Sequence, residues 1–260
     1  MRVVSLHADV LVATSRAYQT TCTAIRGGDE AFVVDSPIFP DELEVLPAVL
    51  EQAGFAVTGL LATHRDWDHM LGRLAFPGTA LGVAETTAAV LTGEPGAVQR
   101  TLRAWDEENY VERPAPLGIG QIQALPVPGH IGLGAQEVEV HPTEGHTSDG
   151  MALLVPWAGV LVAGDYLSPV EIPMLSPSGS RDAYLATLAR LRPLVERVQW
   201  VVPGHGAPTD RARALSILDE DVRYLTEWEL PPTRRTAAQR AIHAANLERS
   251  GMNTTAGSNA

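Results

Sequence analysis

One short stretch limits what this chain can fold into. His64, Asp66, Asp68 and His69 crowd into Thr63-His64-Arg65-Asp66-Trp67-Asp68-His69, directly after the apolar run Val57-Thr58-Gly59-Leu60-Leu61-Ala62. The run reads as a buried strand that stops and delivers polar side chains into a loop. Two imidazoles and two carboxylates this close together are costly to fold unless a cation sits among them. A divalent metal is the obvious cation, so the rest of the chain must bring further ligands to the end of that strand.

Three later turns meet that demand. They are Glu144-Gly145-His146-Thr147-Ser148-Asp149-Gly150, Ala163-Gly164-Asp165-Tyr166 and Pro203-Gly204-His205-Gly206. Each sits beside a strand-like run, and each sets a histidine or aspartate beside a glycine. A residue without Cβ lets backbone and metal approach closely. The candidate ligands are then His64, Asp66, Asp68, His69, His146, Asp165 and His205. Four imidazoles and three carboxylates suffice for two metal ions with positions left for water.

The segments between these turns alternate in character. Strands are expected over residues 10–14, 20–25, 31–34, 57–62, 80–83, 136–141, 151–155 and 160–163, and at 200–202. Helical spacing appears over 40–52, from 85, over 97–109, from 181 to about 191, over 210–228 and over 233–249. Leu215, Leu218, Val222 and Leu225 mark the apolar stripe of the 210–228 helix. This β-α alternation argues for an α/β layer structure. Residues 93–135 are proline-rich and less regular, which suits a functional or mobile segment. Trp105 and Tyr110 within it are either packing aromatics or the lining of a substrate mouth.

Composition narrows the class. The chain has 260 residues and a formal net charge of −12, and its nineteen basic residues are all arginine. Such an acidic protein lacks the electrostatic term that dominates nucleic-acid binding, and it is poorly suited to an anionic membrane surface. A small-molecule substrate is the expected partner. The longest apolar run, Met151 to Ala163, is broken by Pro156 and Gly159 and falls short of the roughly 18 residues of a membrane-spanning helix. Cys22 is the only cysteine and lies in a strand-like run, so a buried structural thiol is expected. With no signal peptide at the start, a reducing, cytoplasmic location is expected. The domain reading is a main domain over 1–230, a helical extension over 231–250 and a disordered tail over 251–260. The C-terminal helices can pack on the domain or on a second copy in a homodimer.

The ordered motifs H-x-[H]-x-D-H, G-H-T, G-D and G-H-G, with their spacings over most of residues 10 to 210, resemble the metallo-β-lactamase-fold superfamily, including its glyoxalase-II-like hydrolases. Asp35-Ser36 is similar to that family's first turn after the opening hairpin. The resemblance implies a four-layer αβ/βα sandwich of two mixed β-sheets with metals at the sheet edge. It implies that His64, position 66 and His146 hold one metal, that Asp68, His69 and His205 hold the other, and that Asp165 bridges. The departure is Asp66, where the family's usual residue is histidine. A carboxylate there moves preference from zinc toward iron or manganese without excluding zinc. The diiron flavoprotein branch similarly carries a carboxylate at that position.

The implied chemistry is metal-assisted hydrolysis of a small ester, thioester, lactone or amide by a metal-bridging hydroxide, with two ions about 3.5–4 Å apart. Asp68 is expected to orient the nucleophile or shuttle its proton, and Tyr166 to donate to an oxyanion or else simply to pack. Arg65 is a candidate partner for Asp66 or Asp68, and Trp67 is expected to pack behind the loop. His7, His130, His141 and His243 fall outside the motif pattern. Two other readings remain: an iron-dependent redox or oxygen-handling enzyme, motivated by Asp66, and a metal-poor member that binds without catalysis.

Overall fold

A computed structural model describes residues 1–251. The chain opens on β1 (Arg2–His7), β2 (Val10–Thr14), β3 (Thr21–Gly27) and β4 (Glu30–Asp35). It continues through α1 (Pro40–Gln52), β5 (Val57–Ala62), a 3-10 turn at Trp67–His69 and α2 (Gly72–Ala75). Next come β6 (Leu81–Ala84), α3 (Glu85–Gly93), α4 (Ala97–Asn109) and β7 (Ile122–Leu125). These strands form one seven-stranded sheet in chain order, antiparallel up to β4 and parallel from β4 to β7.

The second sheet holds β8 (Gly129–Leu133), β9 (Gln136–Pro142), β10 (Met151–Val155), β11 (Val160–Gly164), β12 (Trp200–Pro203) and β13 (Thr209–Asp210). Its neighbours are antiparallel except for β11 and β12, which run parallel and are joined through α5 (Arg181–Arg197). Helices α6 (Arg211–Glu227) and α7 (Ala237–Arg249) complete the described chain.

Successive residues of a strand point to opposite faces, and this explains the near-continuous apolar runs. Leu61, Leu153 and Val202 share one cluster between the two sheets. Their neighbours Leu60, Leu154 and Val201 face outward, Leu60 onto a cluster with Leu46 and Leu102, the others onto one with Leu188 and Leu218. Both faces of each central strand are thus covered, which makes four layers: helices, sheet, sheet, helices. Fully burying one such leucine contributes about 1.5–3 kcal/mol.

Some expectations need correction. The segment 93–135 is more regular than expected, since besides the helix over 97–109 it holds all of β7 and β8. These edge strands are short, half-exposed and flanked by Pro126 and Pro128, so their pattern carries little apolar signal. The core face of α6 is Ala214, Ile217, Leu218, Tyr224 and Leu225, with Leu215 and Val222 only partly buried. The tail expected over 251–260 lies, beyond Gly251, outside the described residues.

Topology brings the polar turns together. The C-terminal ends of β4, β5, β11 and β12, and the loop entering β10, all open on one edge of the sandwich. Cross-sheet hydrogen bonds tie that edge, Thr21 N–H to Gly204 O at 2.8 Å and Met151 N–H to Thr63 O at 2.8 Å, while Gly204 N–H to Gly164 O at 2.6 Å joins the ends of β11 and β12.

Candidate metal centre

All seven sequence-derived candidate ligands meet at this edge. Three groups of donor atoms lie close enough to share a cation: His64, Asp66 and His146; Asp68, His69 and His205; and His64, His69 and Asp165. Asp165 is the hub. Its Oδ2 lies 3.6 Å from His64 Nε2, 3.3 Å from His146 Nε2 and 3.3 Å from His205 Nε2, and its Oδ1 lies 3.2 Å from His69 Nε2. Asp66 Oδ2 is 3.3 Å from His146 Nε2 and 3.7 Å from His64 Nε2. Asp68 Oδ2 is 3.5 Å from His205 Nε2 and 3.7 Å from His69 Nε2.

Each imidazole presents Nε2 to the centre because Nδ1 is engaged elsewhere. His69 Nδ1–H donates to Asp35 Oδ2 at 3.0 Å, and His146 Nδ1–H to the Met174 carbonyl at 2.9 Å. His205 Nδ1–H donates to the Tyr18 carbonyl at 3.1 Å. His64 Nδ1 lies 3.1 Å from Thr63 Oγ1, whose hydroxyl donates in turn to Asp35 Oδ2. Asp35 also accepts from the Thr63 N–H at 2.8 Å, and it holds a left-handed φ of 58° that a non-glycine residue adopts only at a cost. Such outer partners fix the tautomer and aim of a metal-binding histidine.

The donor set fits a divalent ion. His64 Nε2, His69 Nε2 and Asp165 Oδ1 are buried with no hydrogen-bond partner among the described residues. Donor atoms on a common tetrahedral ion, about 2.0–2.2 Å from it, lie about 3.3–3.6 Å from one another. The carboxylate–imidazole separations of 3.2–3.7 Å lie close to that spacing, and imidazole with carboxylate suits zinc, iron or manganese. Electrostatics point the same way. Burial opposes charge on His146, yet Asp66 and Asp165 outweigh it and push its pKa up to about 9. Burial is likewise outweighed at His205, which Asp165 and Glu171 push up to about 10. The carboxylates call for positive charge, and a metal supplies it better than protons on imidazoles.

Two glycines make the packing possible. A Cβ on Gly204 would run into Asp165 Oδ1 and lie 3.0 Å from His69 Cε1. Gly145 has φ +130°, and a Cβ there would strike the Tyr184 main chain. Both positions therefore require glycine.

Other candidates fall elsewhere. Tyr166 is 2% exposed, its hydroxyl accepts from the His146 N–H at 3.1 Å, and its ring packs 4.4 Å from that of Tyr184. It sits behind His146, turned from the cavity, so its placement does not match an oxyanion donor. Arg65 does not answer Asp66 or Asp68: its Nε is 3.7 Å from Asp149 Oδ1, and its Nη2 donates to Ser178 Oγ at 2.7 Å. Trp67 lines the cavity instead of packing wholly behind it, with its ring 4.9 Å from the buried Trp105. Tyr110 points to solvent at 94% exposed. Cys22 is buried, and burial pushes its thiol well up, out of nucleophilic range. His141 pairs with Glu139 at 3.2 Å.

Sequence reading missed the supports contributed by α7. Asn246 Oδ1 accepts from Leu175 N–H at 2.9 Å, its Nδ2 donates to Pro173 O at 2.7 Å, and Gln239 Oε1 accepts from Ile172 N–H at 2.7 Å. These amides pin the loop that carries the Met174 carbonyl. Their seven-residue spacing, which keeps two polar residues on one helix face, was the available signal. Buried Asp149 was missed too. It accepts from Thr87 Oγ1 at 2.7 Å and from the Arg65 N–H at 3.1 Å, and so holds the ligand loop.

A family model described as the metallo-beta-lactamase superfamily matches residues 15–205. No curated protein matches the chain. Among solved structures, the metallo-beta-lactamase from Pontibacter korlensis aligns with a TM-score of 0.63 at 17% identity, over 86% of this chain and 98% of that one. The DIM-1 metallo-beta-lactamase aligns with a TM-score of 0.63 at 18% identity, over 88% and 98%. At these identities the likeness is one of fold.

Proposed function

The chain belongs to the metallo-beta-lactamase superfamily, and from that premise we propose that it is a metal-dependent hydrolase of a small ester, thioester, lactone or amide. The observation that carries this reading is the convergence of four imidazoles and three carboxylates with buried, unpartnered donor atoms. In the proposed arrangement His64, Asp66 and His146 hold one divalent ion, Asp68, His69 and His205 hold a second, and Asp165 lies between. Ions held there would polarise a substrate carbonyl and make water acidic enough to attack it at neutral pH.

The remaining roles fall to the chain itself. Asp68 lines the cavity and is the carboxylate placed to orient the attacking water and take its proton. Asp35 keeps His69 turned toward the centre, and the Met174 carbonyl does the same for His146. Trp67 and Tyr18 line the cavity beside the centre, where they exclude water and orient the acyl group. β-Lactam hydrolysis, named in the structural relatives, is one reaction of this class, and no feature of the site selects it.

Loading the protein separately with zinc, iron and manganese, then screening esters, thioesters, lactones and phosphodiesters, tests the reading. The expected result is hydrolysis of a carbonyl substrate with about two metal ions per chain, zinc being the favoured ion. Absence of turnover with every ion would overturn it. Iron bound with a visible absorption band, and oxygen consumed without hydrolysis, would favour the redox reading that Asp66 motivates.

A further inference from the structure

Resting on the hydrolase reading of this centre, we propose that its cleft selects an uncharged or cationic acyl compound with an apolar arm and disfavours substrates carrying an anionic group. The cavity beside the metal centre measures about 470 Å³, room for a small substrate. Val90, Leu91 and Val98 line it from α3 and α4, and Met174 and Ile242 line it from the 166–180 loop and from α7. These side chains would take up a chain of methylenes.

The charge inventory sets the rest. Asp66, Asp68 and Asp165 line the cavity, but ions at the centre would answer them. Glu94 and Glu171 also line it, and among the described residues neither side chain has an ion pair or hydrogen-bond partner. Arg65 is the one lysine- or arginine-type cation in the lining, and it is already committed to Asp149 and Ser178. The chain contains no lysine to supply another, and its net charge of −12 adds a repulsive field for anions. Trp67 and Tyr18 add aromatic faces that attract a cation within reach. An anionic group lying against Glu94 and Glu171 would be partly desolvated there with no free arginine or lysine to pair it.

Three hexyl ethers that cannot be hydrolysed provide the test. They differ only in the alcohol: choline, its uncharged isostere 3,3-dimethylbutanol, and 2-hydroxyethanesulfonate. Their binding to the metal-loaded protein is measured by calorimetry. The choline and neutral ethers are expected to bind about tenfold tighter than the sulfonate, the scale of two modest unscreened pairings. In a Glu94→Gln/Glu171→Gln variant with unchanged metal content, that gap should shrink to about threefold or less. Glu94→Gln alone, at an exposed position, gives a partial shrinkage and guards against misfolding of the double variant. Sulfonate binding as tight as choline, an unchanged gap in the variants, or no binding of any ether would overturn the proposal. The matching hexanoyl esters are assayed in parallel. If binding keeps the expected order while no ester is cleaved, the hydrolase reading fails and the cleft selectivity stands.

Discussion

The two halves of the candidate metal centre are built from the same residue types but braced in different ways. Asp68, His69 and His205 are buried at the sheet edge, and their supports come from the first 35 residues: Asp35 behind His69, the Tyr18 carbonyl behind His205, and Thr20 Oγ1 3.4 Å from Asp68 Oδ2. His64, Asp66 and His146 form the more open half. The Asp66 side chain is 31% exposed, and His146 is aimed by a loop carbonyl that depends on α7. The first half leans on Asp35 at the end of β4 and on the short turn that leads into β3, which Thr21 ties to Gly204 across the two sheets. The second leans on a loop, where local opening is easier. The contrast assigns rigidity to one half and access to the other.

The largest effect should come from Asp165→Asn, since Asp165 touches all four imidazoles. Metal analysis of the purified variant is expected to show loss from both halves, and retention of full metal would mean the halves do not share that carboxylate. Asp35→Ala should weaken one half more than the other, lowering metal affinity about 10- to 100-fold for the ion nearest His69, because Asp35 bonds His69 directly and reaches His64 only through Thr63. Competition with a chelator, followed spectroscopically with cobalt in place of the native ion, separates the two ions. An equal loss at both would erase the distinction drawn above.

Asn246→Ala should act on the opposite half, and more mildly. The Leu175 N–H and Pro173 carbonyl lose their partner, which costs about 1–3 kcal/mol of stability in denaturant unfolding. Metal near His146 should weaken while the ion near His69 is unaffected. Stability loss with unchanged metal binding at both positions would show that the loop holds His146 without help from α7. The smallest change is expected of Asp66→His, which keeps a ligand at that position and swaps its hardness. Metal analysis should show a shift toward zinc at similar total content. Unchanged metal selectivity and esterase activity would remove Asp66 from the ligand set.

Much of this was legible before any coordinates. Helices 40–52 and 97–109 appear with those same bounds, because their periodicity and their Gly54 and Gly96 punctuation are local signals. The candidate donors were legible for the same reason: their turns lie beside apolar runs, and His146, Asp165 and His205 each stand beside a glycine. Edge strands β7 and β8 were not, since half-exposed strands beside prolines lack alternation. The choice left open for Tyr166 and Arg65 could not be made from sequence, because adjacency in sequence says nothing about which way a side chain turns. Tyr166 follows Asp165 by one residue, but the tight turn after β11 (Tyr166 N–H to Gly164 O at 2.7 Å) leaves its hydroxyl behind His146.

The sequence by itself determined which residues could serve as donors, their order along the chain and the layered α/β architecture, because strand periodicity, glycine turns and buried charge are all properties of short segments. The tertiary structure alone decided what stands behind each imidazole and what charge faces a substrate. Asn246 lies 71 residues from Leu175, and Arg65 lies 84 from the Asp149 that claims it. Pairings over such separations are set by how sheets and helices pack, and no local pattern encodes them.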